Sequence, residues 1–416
     1  MILKRVGRSP LFRNPQSAIR NSLCLVRAPA LVALTSVVLL SGCQTGPRLP
    51  DSMRSMWVTR FDYKSAEDVR RIVDNCADSG INTILFQVRG NGTMFCKSSL
   101  EPWADELGGR DPGFDPLAEA CKAAKQRGVQ LHAWVNVMPA WRGKNAPQNP
   151  EQLYNKHPDW FWYDQKGERQ PLTSFYVSLN PCLPEVRAYL VEVFRDLVRR
   201  YPVDGLHMDY IRFPNEPPAI PSGSGIDYPR DAKTLALYKA ETGLAPDDDP
   251  AKWKAWRTEQ VSRLVADIHA MVRKTRPAAA LTASVGSVRE NGLSHFQDAR
   301  QWLTEGNIDA VFLMNYTAEL DKFVTRNKPW LDAKYRQPVV PGLWFDSKRP
   351  VEENASVVRQ QIEAAMESAG HFCIFTYSSL FDSRDEVLAK QDNTGARNRE
   401  IRRRAVLPML RSLAAR

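Results

Sequence analysis

The sequence lacks the motifs on which several common enzyme classes depend. It contains no Gly-x-Ser-x-Gly nucleophile elbow and no His-Glu-x-x-His zinc motif. No glycine-rich turn follows the first predicted strand at residues 56–61, although an open dinucleotide-binding sheet typically carries one there. These absences argue against a serine esterase, a zinc hydrolase of that type and a dinucleotide-binding fold.

Cysteine is scarce in the body of the chain. Two of the seven cysteines precede residue 44, and the other five are Cys76, Cys96, Cys121, Cys182 and Cys373. An odd number without a Cys-x-x-Cys pair fits neither a disulfide framework nor a metal site. We expect Cys76 and Cys121, which fall in apolar helical patterns, to be buried. Cys96 and Cys182 lie in long loops and could pair in an oxidising compartment.

Acidic residues are absent before residue 43, so the net charge of +10 does not describe the body of the chain. Six basic residues precede Cys43, and seven Arg with one Glu follow residue 396, which leaves a charge of −2 between them. Single-strand and duplex binding both need a basic surface. We therefore predict no nucleic-acid partner.

Long apolar runs are also absent, except for residues 28–40, which are too few to span a bilayer as an ordinary helix. This run follows a basic segment and ends in Leu40-Ser41-Gly42-Cys43, which has the form of a lipobox. The pattern predicts a signal peptide over residues 1–42, lipidation of Cys43 and a tether over residues 43–52. Gln44 after the cysteine resembles lipoproteins sorted to the outer membrane. We therefore expect an envelope protein that is anchored to the outer membrane through Cys43 and faces the periplasm.

From residue 56 onward, short apolar strands alternate with amphipathic helices. Near-continuous apolar strands indicate a parallel sheet that is covered on both faces. Eight units predict an α/β fold of the (β/α)8 TIM-barrel type over residues 53–395, followed by a basic C-terminal tail over residues 396–416. The predicted strands are 56–61, 81–88, 129–137, 203–210, 280–285, 309–316, 338–344 and 371–377. The predicted helices are 65–79, 113–127, 184–200, 253–276, 296–305 and 351–369.

The connections are unequal in length. Helix-to-strand turns are as short as Ser79-Gly80, whereas the strand-to-helix loops at residues 89–112, 138–183 and 211–252 are long. In a barrel all the long loops open on the C-terminal face, where barrel enzymes hold their active sites. Aromatic rings in these loops suit the apolar faces of sugars, or they pack together as satellite cores. They are Phe95, Trp103, Trp141, Trp160, Phe161, Trp162 and Tyr163.

Polar and aromatic side chains occur at or just after the ends of several predicted strands. A single residue of this kind usually anchors a loop. Burying many polar groups at one rim of a barrel costs free energy, so such a set is expected to have a function. We predict that this set binds substrate. The set consists of Gln87, Arg89, Trp134, Asn136, His207, Arg212, Asn315, Tyr316, Trp344 and Tyr377.

Asp209 ends the fourth strand and is the best candidate for a catalytic acid. Hydrolysis of a glycosidic bond requires a second carboxylate that attacks the sugar or activates water. Glu319, Asp346 and Glu290 follow later strands, and Glu319 is the weakly preferred choice among them. A neighbouring Arg212 or Arg89 is expected to lower the pKa of Asp209.

A metal site is the alternative chemistry at this rim. His132, His207 and Asp209 make up the two-histidine, one-carboxylate ligand set of some metal enzymes. Nothing in the sequence fixes the spacing of residues on different strands, so we predict no metal and no cofactor. His207 is then expected to orient Asp209 or a neighbour.

Four segments together resemble a known family. They are MWVTR at 56–60, NTILFQVR at 82–89, HAWVN at 132–136 and DGLHMDYIRFP at 204–214. With the lipobox, they are similar to the glycosyl-hydrolase-like lipoproteins distantly related to family 10 xylanases. The resemblance implies a (β/α)8 barrel in the cell envelope and a carboxylate mechanism on N-acetylated sugar chains. Family 10 xylanases end strand four in Asn-Glu, whereas this strand ends in His207-Met208-Asp209, so the role of Asp209 rests on its position.

The leading hypothesis is therefore an envelope glycoside hydrolase whose partner is a glycan polymer, namely the peptide-free strands of peptidoglycan. A non-catalytic glycan-binding lipoprotein on an enzyme-derived barrel is one alternative. Hydrolysis of another polysaccharide is a second. The sequence makes no prediction about protein partners.

Overall fold

The computed structural model describes residues 46–213, 220, 223–382 and 393–415 of the chain. They belong to one compact unit, Gln44–Arg416. The predicted signal peptide over residues 1–42 and the predicted lipidation site at Cys43 lie outside the described residues. Within the described ranges, no helix has the length and apolar character needed to cross a membrane.

Eight parallel strands of the described chain close into a barrel, which confirms the predicted (β/α)8 fold. Around the barrel they run in the order β1, β10, β9, β8, β7, β6, β3 and β2, so each strand lies beside its neighbours in sequence. A separate antiparallel pair, β4 and β5, lies in the long loop after β3. The strands are β1 Arg54–Val58, β2 Thr83–Arg89, β3 Gln130–Asn136, β4 Pro139–Arg142, β5 Tyr176–Ser178, β6 Gly205–Asp209, β7 Ala280–Gly286, β8 Ala310–Met314, β9 Val339–Trp344 and β10 Phe372–Phe375.

The first strand ends earlier than its apolar pattern predicts. The Thr59 N–H donates to Oδ2 of Asp62 at 2.7 Å instead of continuing the ladder. A side chain that bonds a backbone group nearby competes with sheet pairing. The chain therefore leaves β1 after Val58, and Thr59 and Arg60 are positioned at the mouth of the barrel.

The helices surround the barrel, and their ends carry ordinary capping signals. Ser65 begins α1 with a capping box, and Asp115 caps α2, which ends at Gly128 with φ +65°. The α-helices of the described chain are α1 Ala66–Asp78, α2 Pro116–Arg127, α3 Leu153–Lys156, α4 Pro184–Arg200, α5 Ala232–Thr242, α6 Pro250–Thr275, α7 Arg289–Ser294, α8 Ala299–Glu305, α9 Leu320–Leu331, α10 Val351–Ala369 and α11 Asn393–Ala414.

The barrel interior is a packed core of its own. Trp57 lies at its centre, with Phe312 at 6.0 Å and Phe375 at 5.9 Å between ring centroids. Gly342 on β9 is required there, because an added Cβ would approach the Trp57 ring to 2.9 Å. The larger core lies between the strands and the helices. The mouth of the barrel is therefore built over a filled interior rather than over a channel.

The basic segment predicted as a tail over residues 396–416 is part of α11, which is continuous from Asn393 to Ala414. Val406, Leu407 and Leu410 are buried. Nε of Arg411 donates to the Asp78 carbonyl at 3.1 Å, so the helix is fixed to the end of α1. Its apolar residues recur at helical spacing, and the helix packs against α10 and the turn after α1.

Several aromatic residues of the long loops are packed into the core between the strands and the helices. Phe95, Phe161 and Trp162 are fully buried, and Trp162 donates its indole N–H to the Leu179 carbonyl at 3.0 Å. Cys96 and Cys182, the pair that could have formed a disulfide, are both free and buried. The loops are thus ordered by apolar packing and by hydrogen bonds to the backbone.

Candidate active site

A cavity of about 240 Å³ lies at the C-terminal mouth of the barrel. It is bounded by residues at or just after the ends of six barrel strands, β1, β2, β3, β6, β8 and β10, and by the loop that carries β5. Asp209 is the carboxylate among its described lining residues. The lining consists of Thr59, Arg60, Phe61, Gln87, Trp134, Asn136, Tyr176, Asp209, Tyr210, Arg212, Met314, Tyr316 and Phe375.

Asp209 is held at the end of β6 by the backbone around it. Its carbonyl accepts the Val137 N–H at 2.8 Å, and its Oδ1 accepts the Tyr210 N–H at 2.7 Å. Tyr210 adopts φ +48°, a left-handed conformation that is uncommon for a residue with a side chain. This turn ends the strand and bends the main chain around the carboxyl group of Asp209.

Burial raises the pKa of Asp209 to about 6. The Tyr210 N–H, the charge of Arg212 and the indole of Trp134 act in the opposite direction, and burial outweighs them. We expected a neighbouring arginine to keep this pKa low. Arg212 does act in that direction, but the net shift of the pKa is upward. A carboxyl group with a pKa near 6 can carry a proton at mildly acidic pH and give it up during a reaction.

Trp134 brings an indole N–H to the same cavity. Its Nε1 is buried and has no hydrogen-bond partner of normal geometry in the described chain. The interaction of this indole with Asp209 nevertheless favours the charged carboxylate. Because Nε1 is buried and its interaction is with Asp209, Trp134 acts on the charge of that carboxyl group.

His207 lies beneath Asp209 in the barrel interior and is completely buried. Its Nε2 accepts the indole N–H of Trp57 at 3.2 Å, and its Nδ1 lies 2.9 Å from the Thr282 hydroxyl. Because an indole N–H can only donate, Nε2 carries no proton and the ring proton is on Nδ1. Burial also lowers the pKa of His207, so the ring is neutral. His207 supports the floor of the cavity and does not line it.

Arg60, Gln87 and Asn136 form a connected wall. Oε1 of Gln87 accepts the Arg60 N–H at 3.1 Å, and Nε2 of Gln87 donates to Oδ1 of Asn136 at 3.2 Å. The guanidinium of Arg60 pairs with Glu106 at 3.0 Å and lies 3.3 Å from the Tyr176 hydroxyl. Both amide orientations are therefore fixed, and a cation is held at the edge of the cavity.

The aromatic wall is built around Tyr316. Its ring stacks on Trp344 at 5.6 Å and lies 5.3 Å from Phe375. Burial and the nearby charge of Asp209 raise the pKa of Tyr316, so the phenol keeps its proton and can donate it to a hydrogen bond. Trp344 lies behind Tyr316 and is not among the lining residues.

Three residues predicted to bind substrate are instead loop anchors. Arg89 is fully buried and binds Glu101 through two bonds of 2.8 and 2.7 Å. Asn315 donates to the Phe323 carbonyl at 2.9 Å and to the Asn327 side chain at 2.8 Å. Tyr377 accepts a hydrogen bond from Asn75 at 2.8 Å. Each of them forms these hydrogen bonds within the fold, and none lines the cavity.

The three carboxylates considered as partners of Asp209 do not line the cavity. Glu319 is exposed and pairs with Lys322 at 2.8 Å. Glu290 is exposed in the first turn of α7. Asp346 accepts the Lys348 N–H at 2.9 Å in the loop after β9. The structure therefore does not bring these groups together with Asp209.

The residues that sequence reasoning missed are Thr59, Arg60, Phe61, Tyr176, Tyr210, Met314 and Phe375. Thr59 and Arg60 belong to a segment already noted for its resemblance, and Tyr210 adjoins Asp209. No sequence pattern indicated Tyr176, because it reaches the site from the β4–β5 pair inside a long loop. A side chain at Gly90 would displace the Arg60 guanidinium, since an added Cβ would lie 2.8 Å from it.

The histidines do not form a metal site with Asp209. His132 is buried with a pKa lowered to about 4 by burial, and its ring packs where a side chain on Gly205 would otherwise lie. His207 is engaged with Trp57 and Thr282. In the described part of the chain, no three His, Cys, Asp or Glu side chains cluster as a metal site would require.

Comparison with known proteins identifies relatives that match most of the chain. Residues 52–341 match the protein family described as Glycosyl hydrolase-like 10. The chain is similar to glycosyl hydrolase DigH of Escherichia coli strain K12, with 26% identity over 399 residues that cover 80% of this chain and 82% of DigH. It is also similar to glycosyl hydrolase YngK of Bacillus subtilis strain 168, with 24% identity, covering 62% of this chain and 53% of YngK.

Solved structures support the fold. The PgaB glycoside hydrolase domain from Bordetella bronchiseptica has a TM-score of 0.56 at 14% identity, covering 85% of this chain and 99% of that domain. The catalytic domain of β-amylase from Paenibacillus polymyxa has a TM-score of 0.53 at 10% identity, covering 83% of this chain and 98% of that domain. At such low identity the likeness concerns the barrel alone.

Proposed function

The chain belongs to the glycosyl hydrolase-like 10 family, and on that premise we propose that it is an envelope glycoside hydrolase that cleaves the glycan strands of peptidoglycan. The observation that carries the proposal is Asp209, a buried carboxyl group with a pKa raised to about 6 in a cavity at the barrel mouth. Barrel enzymes perform their chemistry at this face. A relative named as a glycosyl hydrolase aligns with 80% of this chain at 26% identity.

In the proposed mechanism, protonated Asp209 donates its proton to the glycosidic oxygen as the bond to the sugar breaks. The indole of Trp134 stabilises the Asp209 carboxylate that remains, and Tyr316 supplies a hydrogen-bond donor to a sugar oxygen. Arg60, Gln87 and Asn136 form the wall that orients the sugar. Because most of these groups are buried, the cavity keeps bulk solvent from the bond, and one water molecule attacks the anomeric carbon, so that its oxygen forms the new bond and its proton passes to a second carboxylate.

A second carboxylate completes such a mechanism. We propose Glu106, because its pairing with Arg60 at 3.0 Å holds a partly exposed carboxylate beside a lining residue. Asp62 also adjoins the lining, but it is buried and accepts the backbone N–H and the hydroxyl group of Thr59. Glu106 is therefore the more accessible of the two.

The envelope location and the peptidoglycan substrate rest on the sequence. The lipobox at residues 40–43 supports an anchor at Cys43, and the outer membrane is the proposed site of attachment. An anchor of this kind would hold the barrel close to the wall polymer. The resemblance of the four barrel segments supports N-acetylated sugar chains without peptides as the substrate.

The test is hydrolysis of purified peptide-free strands by the mature protein. Wild-type protein should release soluble fragments with new reducing ends. Asp209→Asn should lower kcat/KM by roughly 10²- to 10⁴-fold, the usual contribution of a general acid. Glu106→Gln should also lower kcat/KM. An Asp209→Asn variant with full turnover would contradict the assignment of the acid.

The alternative is a glycan-binding protein without activity. The observation that favours it is the single carboxylate, Asp209, among the described residues that line the cavity. Sedimentation of wild-type and Asp209→Asn protein with the insoluble polymer separates the two functions. Equal binding by both proteins and no cleavage of any polymer in a small panel would establish binding alone.

A further inference from the structure

The segment that leads into β1 is bound to the N-terminal face of the barrel. Nε2 of Gln130 donates to the Arg48 carbonyl at 2.8 Å, and the Ser52 hydroxyl donates to the Gly370 carbonyl at 2.9 Å. Nδ2 of Asn82 donates to the Ser52 carbonyl at 2.8 Å. Gln130 begins β3, while Asn82 and Gly370 lie just before β2 and β10. The chain is therefore attached at the start of three strands before it enters the barrel itself.

Apolar contact adds to these hydrogen bonds. Leu49 is partly buried and packs against the inner core of the barrel, which includes Met53 and Trp57. Gly46, by contrast, is exposed, and a side chain added there would meet nothing within 4 Å. Residues 48–53 therefore lie on the N-terminal face of the barrel, whereas the space beside Gly46 is open.

The proposed lipid would lie close to this face. Gly46 follows Cys43 by three residues, and three residues of extended chain span at most about 11 Å. Because a lipid on Cys43 would enter the bilayer, Gly46 would lie no farther than this from the head groups. The mouth that contains Asp209 lies at the other end of the strands, roughly 15–20 Å away along the barrel axis given their rise and tilt. So short an attachment places the N-terminal face, and not the mouth, next to the membrane.

The same face carries an excess of exposed basic residues. The last turns of the helices and the helix-to-strand turns lie there, and basic side chains at such positions also offset the helix dipoles. The exposed basic residues of this face without an ion pair in the described chain are Arg48, Lys125, Lys274, Lys334, Arg336 and Arg411. The corresponding exposed acids are fewer, namely Asp51, Asp204, Glu305 and Glu367.

We infer that the N-terminal face of the barrel binds the anionic head groups of the membrane, so that the mouth containing Asp209 opens away from the lipid. This inference rests on the proposed envelope function and on the lipid at Cys43, and it assigns a second partner to the protein. An anionic bilayer attracts basic residues within about one Debye length, roughly 8–10 Å. The short attachment at Gly46 keeps the basic face near that range. The cavity is then presented to glycan strands on the side of the barrel that faces the wall.

Two single labels measure the orientation. The five cysteines of the described barrel are free and buried, so an introduced surface cysteine can be labelled selectively. Ala278→Cys places a fluorophore in the turn before β7 on the N-terminal face, and Ser347→Cys places one in the loop after β9 on the C-terminal face. The lipidated full chain is reconstituted into vesicles of phosphatidylethanolamine and phosphatidylglycerol that carry nitroxide head groups. Because a nitroxide quenches fluorescence only near contact, the label at position 278 should be quenched severalfold more than the label at position 347.

The role of charge is tested in the Ala278→Cys protein. Quenching should fall in neutral vesicles of phosphatidylcholine and should fall as salt is added. Lys125→Gln combined with Lys334→Gln should also lower it, since each cation near an anionic surface is worth about a fivefold change in affinity. Lys322→Gln is the matched control, because Lys322 is exposed near the start of α9, at the opposite end of that helix from Lys334. This variant should be quenched as strongly as the parent.

The outcomes separate this inference from the proposed hydrolase. Equal quenching at the two positions, or stronger quenching at position 347, would overturn the orientation. Quenching at position 278 that is unchanged in neutral vesicles and at high salt would overturn the binding of anionic head groups. Protein that does not float with the vesicles would contradict the proposed anchor, and this inference with it. Failure to cleave peptide-free strands would contradict the hydrolase, whereas the quenching pattern would still decide the orientation.

Discussion

At the scale of single residues, Asp209 shows how burial and charge compete. The Arg212 charge and the Tyr210 N–H both favour the ionised carboxylate, yet the net effect of the site raises its pKa to about 6. Desolvation outweighs them because the group lies at the bottom of a cavity walled by aromatic rings. The sequence indicated where Asp209 lies along the strand, but not its degree of burial.

The pH dependence of hydrolysis follows from this shift. A general acid must be protonated to act. The contribution of Asp209 to kcat/KM should therefore be constant below about pH 6 and should fall about tenfold per pH unit above that value. Steady-state assays on peptide-free strands between pH 4 and pH 8 would measure it. A rate that rises through pH 6 would instead mean that Asp209 acts as a base or nucleophile.

The same shift makes a prediction about stability. The folded protein binds the Asp209 proton more tightly than the unfolded chain does, whose ordinary pKa is 3.8. Stability therefore falls as the pH rises from about 4 to about 6, by at most about 3 kcal/mol, and stays lower above that range. Asp209→Asn should consequently be more stable than wild type at pH 7, by about 1–3 kcal/mol, in urea denaturation.

The comparison at low pH provides the control for this prediction. Near pH 4 the Asp209 carboxyl is protonated in the fold, so variant and wild type should differ little. Asn also keeps an oxygen that can accept the Tyr210 N–H. A variant that is less stable than wild type at pH 7 would show that the ionised Asp209 carboxylate does not destabilise the folded protein.

At the scale of structural elements, Arg89 illustrates why strand-end residues cannot be sorted from sequence. The pairing of β2 with β3 shifts register between Gln87 and Arg89. Such an irregularity redirects the side chains that follow it. Gln87 therefore lines the cavity, whereas Arg89 is buried against Glu101. Period-two alternation assigns both to the same face and cannot reveal the shift.

The last helix, α11, supports a second kind of prediction. Leu410 is fully buried, and its carbonyl lies against Gly80, where an added Cβ would be 2.6 Å away. Leu410→Ala should lower the free energy of unfolding by about 2–5 kcal/mol, as for other buried leucines. Urea denaturation followed by fluorescence would measure it, because the chain carries eleven tryptophans.

A surface variant of α11 serves as the control. Arg404 pairs only with Glu400 on its own helix in the described contacts, and both side chains are largely exposed. Arg404→Gln should change stability by less than about 0.5 kcal/mol. If Leu410→Ala were equally neutral, the segment would be the solvated basic tail that its composition suggests.

At the scale of the whole molecule, we propose that a lipid anchor at Cys43 holds the barrel in the cell envelope. We expect wild-type protein to incorporate labelled palmitate in growing cells and to fractionate with membranes. Cys43→Ala should abolish the labelling, because this cysteine would carry the lipid. The mature barrel should cleave peptide-free strands equally well without the lipid. Unlabelled wild-type protein would contradict the proposed anchor.

The sequence by itself determined the barrel. Eight apolar strands that alternate with helices can bury both faces of a parallel sheet by closing into a barrel surrounded by helices. The short turns lie at one end of this barrel, so the long loops lie at the other. It also determined that Asp209, Trp134 and Tyr316 reach the same rim, because strand ends of a closed barrel must meet there.

Only the tertiary structure decided which rim residues face the cavity. Arg89, Asn315 and Tyr377 have the polar character of binding residues, but each is bound by a partner distant in sequence. Tyr176 reaches the cavity from a loop that no strand pattern locates. The pKa of Asp209 is likewise a property of everything packed around it. Such properties depend on contacts between distant segments, which local periodicity does not encode.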